Sequence, residues 1–210
     1  MAVSMFHEGL DRYLDYLLPA RPDEVVRMEA YAAERRFPII GPHVGRLLAL
    51  LARATNARSV FEMGSGYGYS AYWFLTGMPE EGRIVLTDGD AGNRDRAAAH
   101  LNALGFAGRY DFRVGIGQEI LARESGPFDI VYNDIDKEQY PEVIDVALAK
   151  LRSGGLFITD NVLWSARVAT DDDAPSTRAI RDFNKRLFAR ADAFSAIVPL
   201  RDGLAIAVKL

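Results

Sequence analysis

The 210-residue chain contains no cysteine. Disulfides, thiolate nucleophiles and cysteine-held zinc or iron–sulfur centres are thereby excluded. Histidine is almost as scarce. His7, His43 and His100 stand far apart and form no HExxH arrangement, so each reads as a surface or cap residue and no histidine-built zinc site is expected. Long apolar runs are missing too: stretches such as 47–52 fall far short of the roughly 20 residues a membrane-spanning helix needs. The start, MAVSMFHEGLDRYL, lacks the basic opening and apolar core of a secretory signal. Neither charge sign dominates, since 25 basic and 29 acidic residues are spread along the chain for a net charge of -4. That balance argues against a nucleic-acid or anionic-membrane partner. The expectation is a soluble, cytoplasmic protein.

A chain of this length is expected to fold as a single domain over 1–210. Residues 1–56 show three helix-like segments, 5–18, 23–36 and 42–56, and no strand. From 57 to 210 the pattern becomes α/β. Short apolar, β-branched runs at 59–63, 83–87, 110–114, 128–133 and 156–159 each precede a helix-compatible stretch, which predicts a parallel sheet covered on both faces. Two further strand-like runs, 194–200 and 204–210, flank the turn Arg201-Asp202-Gly203 and predict an antiparallel hairpin closing the sheet edge. Residues 170–176, TDDDAPS, read as a loop, mobile and near a site, before a helix starting near Ser176.

The first strand runs into Glu62-Met63-Gly64-Ser65-Gly66-Tyr67-Gly68-Tyr69-Ser70. Glycines at a strand-to-helix turn allow positive φ and a close ligand approach. A bland tight turn is the competing reading. The spacing is G-x-G-x-G, Tyr69 stands where a dinucleotide fold wants its third glycine, and no basic residue is near to neutralise a pyrophosphate. A nucleoside without phosphates is favoured. The second strand ends at Thr87-Asp88, about where an acid meets ribose hydroxyls in this fold class. S-adenosylmethionine fits, with Ser70 and Glu62 available to its amino-acid end.

The fourth strand ends in Asn133-Asp134-Ile135-Asp136-Lys137 and the fifth in Thr159-Asp160-Asn161. If these strands are neighbours, Asp134, Asp160 and Asn161 bring three hard oxygen donors together, a set suited to Mg²⁺, or to Mn²⁺ or Ca²⁺. Helix caps and solvated ion pairs are the alternative for either cluster alone. Lys137, next to a dication and a sulfonium, would have its pKa pushed down and become a general base; a surface pair with Glu138 is the plainer outcome. Trp73 follows helical spacing and reads as core, whereas Trp164 could line an acceptor pocket and Arg167 could meet an acidic substrate.

With these motifs in view, the sequence resembles the cation-dependent O-methyltransferases, the family of caffeoyl-CoA and catechol O-methyltransferases and their bacterial relatives. The likeness runs from LDYLLPARPDEVVRMEAYA through VFEMGSGYGYSAYWF, FDIVYNDIDKEQYPEVI, LRSGGLFITDNVLW and PLRDGLAIAVKL. It implies a Rossmann-like class I methyltransferase fold: a seven-stranded, mostly parallel sheet with a C-terminal antiparallel hairpin and N-terminal helices. It implies that Glu62, Gly64, Ser65 and Ser70 meet the methionine part of S-adenosylmethionine and that Asp88 meets the ribose. Gly117 and Gln118 match positions flanking the adenine, and Ile40 one that closes the carboxylate end. Asp134, Asp160 and Asn161 match the metal ligands, with Asp134 and Asp136 also near the cofactor, and Lys137 matches the base.

The activity implied is divalent-metal-dependent O-methylation of a small catechol-like or phenolic acceptor by in-line displacement, carried out by a homodimer. A non-catechol acceptor, or a catalytically silent S-adenosylmethionine-binding module, is the alternative. Asn133, Ser165 and Ala166 depart from the family's usual residues and are expected to mark the acceptor pocket. Gly89 likewise stands where an apolar residue is usual.

Overall fold

β1 (Ser59–Met63) shows how the chain sorts itself. Val60 belongs to one buried apolar cluster, while Phe61 and Met63 belong to another on the opposite face. Alternation of side chains along a strand makes a two-faced sheet, and burial on both faces needs helices on both sides. The computed structural model describes residues 9–210. Within them a seven-stranded sheet has the order β3-β2-β1-β4-β5-β7-β6. The other strands are β2 (Arg83–Asp88), β3 (Tyr110–Val114), β4 (Phe128–Asn133), β5 (Leu151–Thr159), β6 (Ala193–Val198) and β7 (Leu204–Lys209). The first five run parallel, and β7 is antiparallel to both β5 and β6.

One face is covered by α2 (Asp23–Arg35), α3 (Gly41–Ala54), α4 (Tyr69–Gly77) and α5 (Ala91–Ala103), which contribute Met28, Leu48, Phe74 and Leu101 to its cluster. The other is covered by α6 (Gly117–Arg123), α7 (Tyr140–Ala149) and α8 (Pro175–Phe188) through Leu121, Ile144 and Phe183. Trp73, on α4, is buried as its spacing predicts. The expected helix over 5–18 is described only as α1 (Leu10–Leu17), and its first residues, like His7, lie outside the described residues.

Two features of register shape the site. β4 and β5 are parallel neighbours with Asn133 opposite Thr159, so Asp134 and Asp160 emerge side by side past the paired ends, and Asp160 N donates to Asn133 O at 3.1 Å. Because β7 runs antiparallel with Ala205 opposite Thr159, the turn before it lands at this same end of the sheet. The hairpin therefore caps the carboxyl end of β5 as well as closing the sheet edge. Ligands gather at the carboxyl ends of parallel strands where the strand order reverses, here between β1 and β4.

The stretch 170–176 is fastened, contrary to the expectation of a mobile loop. Arg181 on α8 donates to the carbonyls of Arg167 (3.0 Å), Val168 (3.0 Å) and Asp172 (2.7 Å) and to that of Thr170. Asp172 in turn accepts from Arg167 Nε at 2.7 Å and from Thr177. The stretch lines neither of the cavities described below, and Arg167 is committed to Asp172 and the Trp164 ring, 5.7 Å away.

Candidate active site

The turn after β1 holds Gly64, Gly66 and Gly68 at φ of 81°, 49° and 88°. At Gly64 a side chain is also barred by space, since a Cβ would lie 2.3 Å from the carbonyl oxygen of Asp134. The bare backbone presses the turn against the end of β4. Gly64 N and Ser65 N both donate to Thr87 O, at 3.0 and 2.8 Å, which ties the turn to β2. Asp88, at the end of β2, accepts from Gly66 N (3.0 Å), Asp90 N (2.8 Å) and Asn93 Nδ2 (3.1 Å). A carboxylate offers about four lone-pair positions, so acceptor capacity remains toward the cavity.

That cavity, about 900 Å³, lies over the carboxyl ends of β1, β2, β4 and β5. Its wall includes Ile40, Gly64, Ser65, Ser70, Asp88, Gly117, Gln118, Asp134, Asp136, Lys137, Asp160 and Asn161, so all but one of the residues expected to hold cofactor or metal or to act as base are brought to a single space. The exception is Glu62, which is fully buried beneath Ser65 and Ser70. It accepts from Ser70 Oγ, and its Oε2 has no partner. Burial, and then the charges of Asp134 and Asp88, push its carboxyl up to about 8.

At the opposite end, Asp160 is 4% exposed and accepts from Asn161 N at 2.8 Å. Burial and neighbouring Asp134 raise its carboxyl to about 7, against the smaller opposing pulls of the Asn161 amide, Lys137 and Arg201. Lys137 Nζ donates to Asp134 Oδ1 at 2.9 Å and to Ile135 O at 3.1 Å. It lies 5.0 Å from the centre of the Tyr140 ring and 5.9 Å from that of Trp164. Its partner is thus Asp134, not Glu138. Tyr140 OH donates to the backbone carbonyl of Asp160 at 2.9 Å, fixing the main chain that carries the carboxylate. Among the described residues no group of three or more His, Asp and Glu side chains is arranged to hold a metal ion; the set at hand is two carboxylates and the Asn161 amide.

The backbone here is unusual. Asn161, Trp164, Ser165 and Ala166 all have positive φ, between 48° and 62°. Asparagine tolerates that region, but the others carry a cost of roughly 1–2 kcal/mol each. The hairpin turn offsets it: Val162 N and Leu163 N donate to Gly203 O (3.1 Å) and Asp202 O (2.9 Å), and Ser165 N donates to Asp202 Oδ1. Trp164 Nε1 is buried, unpartnered and on the cavity wall.

Two of the three acceptor-pocket expectations fail, since Ala166, like Asn133, lines neither cavity. Asn133 does not mark the acceptor pocket. It is fully buried, lines neither cavity, and leaves both amide atoms without a partner beside the equally unpartnered Thr159 Oγ1. Its side chain falls on the α6–α8 face, set by the same alternation that points Val131 there. Ser165, by contrast, does line a second cavity of about 1250 Å³, which adjoins the first along 37–40 and at Asp160, Asn161 and Asp202. Sequence reasoning missed Phe37, Pro38 and Asp202 as wall residues. The Phe-Pro-Ile-Ile connector between two helices was the available signal for the first two; Asp202 required knowing that β7 pairs with β5.

A sheet of this order, with a glycine turn lacking any phosphate-binding base and acids at the neighbouring strand ends, defines a class I methyltransferase. The profile of a family described as O-methyltransferase matches residues 23–210. The chain belongs to that O-methyltransferase family. It is 29% identical to a catechol O-methyltransferase of Niastella koreensis over 213 residues, covering 96% of each chain. Tricin synthase 1 of Oryza sativa is 32% identical, covering 79% of this chain and 72% of that one. Among solved structures, the O-methyltransferase TomG of Streptomyces achromogenes, involved in tomaymycin synthesis and in complex with SAM, superposes with a TM-score of 0.87 at 28% identity, covering 96% of each chain. A Bacillus cereus O-methyltransferase in complex with SAH gives 0.87 at 25% identity, covering 96% of this chain and 97% of that one.

Proposed function

We propose that this O-methyltransferase takes its methyl group from S-adenosylmethionine in the first cavity and delivers it to a hydroxyl of a small catechol-like or phenolic acceptor, with a divalent cation, Mg²⁺ or else Mn²⁺ or Ca²⁺. The observation that carries the reading is the pairing of the nearly buried Asp160 with Asp134 and Asn161 at two adjacent strand ends, with Lys137 against them. Two close carboxylates, one buried, are resolved by a cation, and an all-oxygen donor set suits a hard one. Asp134, Asp160 and Asn161 would hold it; its charge, when bound, gathers acceptor oxygens and acidifies a hydroxyl.

The cofactor supplies the methyl as a sulfonium. Glu62, with its free Oε2, stands below Ser65 and Ser70 where an ammonium would compensate its buried charge. Gly64 would allow the close approach, Asp88 would meet the ribose hydroxyls, and Gly117 and Gln118 would border the base; Gln118 is itself held by a 3.0 Å bond to Gln139. Ile40 and Asp136 complete the wall. With Asp134 committed to a cation, Lys137 would lose that partner and its Nζ would be free to take the acceptor's proton, while the Tyr140 and Trp164 rings limit its swing.

The reading takes the enzyme to be a cytoplasmic homodimer. No helix among the described residues is long and apolar enough to cross a membrane, and Tyr13, Tyr16 and Leu17 of α1 leave an exposed apolar surface, which sedimentation in solution tests as an interface. The decisive assay follows methyl transfer from S-adenosylmethionine to caffeate or a catechol, with and without chelator. Transfer is expected to cease on chelation, and Lys137→Ala to lower turnover by about 10²–10⁴-fold with S-adenosylhomocysteine affinity nearly unchanged. Chelator-resistant transfer would remove the cation from the reaction. Tight S-adenosylhomocysteine binding with no transfer to any phenol would make the chain a silent binding module.

A further inference from the structure

The second cavity poses a separate question: what its charges are for. An acceptor whose reacting oxygen sits at Asp160 and Asn161 has room to extend its far end into this space, because both residues line both cavities. Ionic groups line it, and some cancel within the protein. His43 pairs with Asp15 at 2.8 Å and Arg21 with Glu29 at 2.8 Å, whereas the carboxylates of Asp160 and Asp202 accept from the backbone N–H groups of Asn161 and Ser165 and keep their charge, that of Asp160 being left to the cation of the reading above. Two cations remain. Arg201 and Arg36 both line the cavity, and among the described residues neither has a carboxylate partner.

Arg201 is fixed in place without being neutralised. Its Nη1 donates to Ile39 O at 3.1 Å, on the connector that separates the two cavities. The guanidinium lies against Gly41, where a Cβ would come within 2.2 Å of Nη1, so the bare Cα at φ 70° makes room for it. Its own backbone sits in the left-handed region, at φ 51°, in the hairpin turn. One bond out of five N–H groups leaves the rest of the planar fork unused, and that fork matches a carboxylate bidentately.

We infer that the acceptor carries a carboxylate at the end remote from its reacting hydroxyl, and that Arg201 receives it with Arg36 as the second cation. The inference rests on the acceptor reading above and narrows it to anionic phenols.

The test uses the full chain loaded with S-adenosylhomocysteine and Mg²⁺, titrated with 3,4-dihydroxybenzoate and with 3,4-dihydroxybenzamide. The carboxylate is expected to bind at least about tenfold tighter, as charged hydrogen bonds commonly give. Arg201→Met is expected to bring that ratio close to one, and Arg201→Lys to keep part of it. Arg36→Gln, at an exposed helix end, is expected to lower it about threefold and covers the case in which Arg201→Met fails to fold. A ratio near one in the wild type, or one unchanged in Arg201→Met, overturns the inference. Methyl transfer to both compounds with a ratio near one sinks the inference alone, whereas a preserved preference without transfer to either sinks the catechol reading alone. Binding of neither compound overturns both.

Discussion

Glu62 shows what a single residue can disclose. It has no exposed surface, one bond from Ser70, and one oxygen without a partner. In the folded chain its carboxyl titrates near 8, whereas unfolded it would titrate near the usual value of about 4.3. The stability that the neutral form provides is whole below that lower value and is lost as pH climbs toward 8, because the folded state still holds a proton the unfolded chain has released. The cofactor-free protein is therefore expected to weaken between pH 5 and 8, by at most roughly 1.4 kcal/mol per pH unit from this residue. Asp160, raised to about 7, adds a slope of the same sign, so the comparison with Glu62→Gln isolates the effect. Urea unfolding at four pH values checks it: the variant should show the flatter profile, and identical slopes would mean that Glu62 ionises freely in the fold.

At the scale of elements, the two acid-bearing strand ends were legible because each acid directly continues an apolar run, VYND and FITDN, and a run buried on both faces can only be an inner parallel strand. What sequence could not reveal is which strand the expected antiparallel hairpin would join. Asp202 and Arg201 join the site only because β7 lies beside β5, a pairing that no local pattern around RDG encodes. Asn133 misled for the opposite reason: adjacency to Asp134 suggested a shared role, but one step along a strand reverses the side chain's face. The glycine turn carries a prediction of its own. Gly64→Ala must accommodate both a positive φ and a backbone oxygen at 2.3 Å, at a cost on the order of 3 kcal/mol. Gly89 lies on the same cavity wall with nothing within 4 Å of an added Cβ, so Gly89→Ala should stay within about 0.5 kcal/mol of the wild type. Denaturant midpoints for the pair decide the matter, and equal midpoints would refute the close approach of the turn to β4.

At the scale of the whole molecule, the N-terminal helices hold the cofactor cavity as firmly as the sheet does. Tyr67 OH donates to Met28 O at 3.0 Å, Tyr69 OH donates to Glu29 at 2.7 Å, and His100 on α5 meets Glu24, so α2 grips the glycine turn and its following helix. The connector 37–40 then closes the cavity wall. A nucleoside ligand bound there would link α2, β1 and β2, whereas Asp160 and Asn161 lie at the end of β5, on the far side of β4. Ligand binding should accordingly stabilise the fold whether or not a cation is present. At a hundredfold excess over its dissociation constant, S-adenosylhomocysteine should contribute about 2.7 kcal/mol, which for a chain of this size raises Tm by roughly 5–11 °C. Scanning calorimetry with and without chelator separates the two sites. An equal shift in both conditions fits a cofactor held by the glycine turn and Asp88, and a shift abolished by chelator would place the cation inside the cofactor site, with Asp134 serving both.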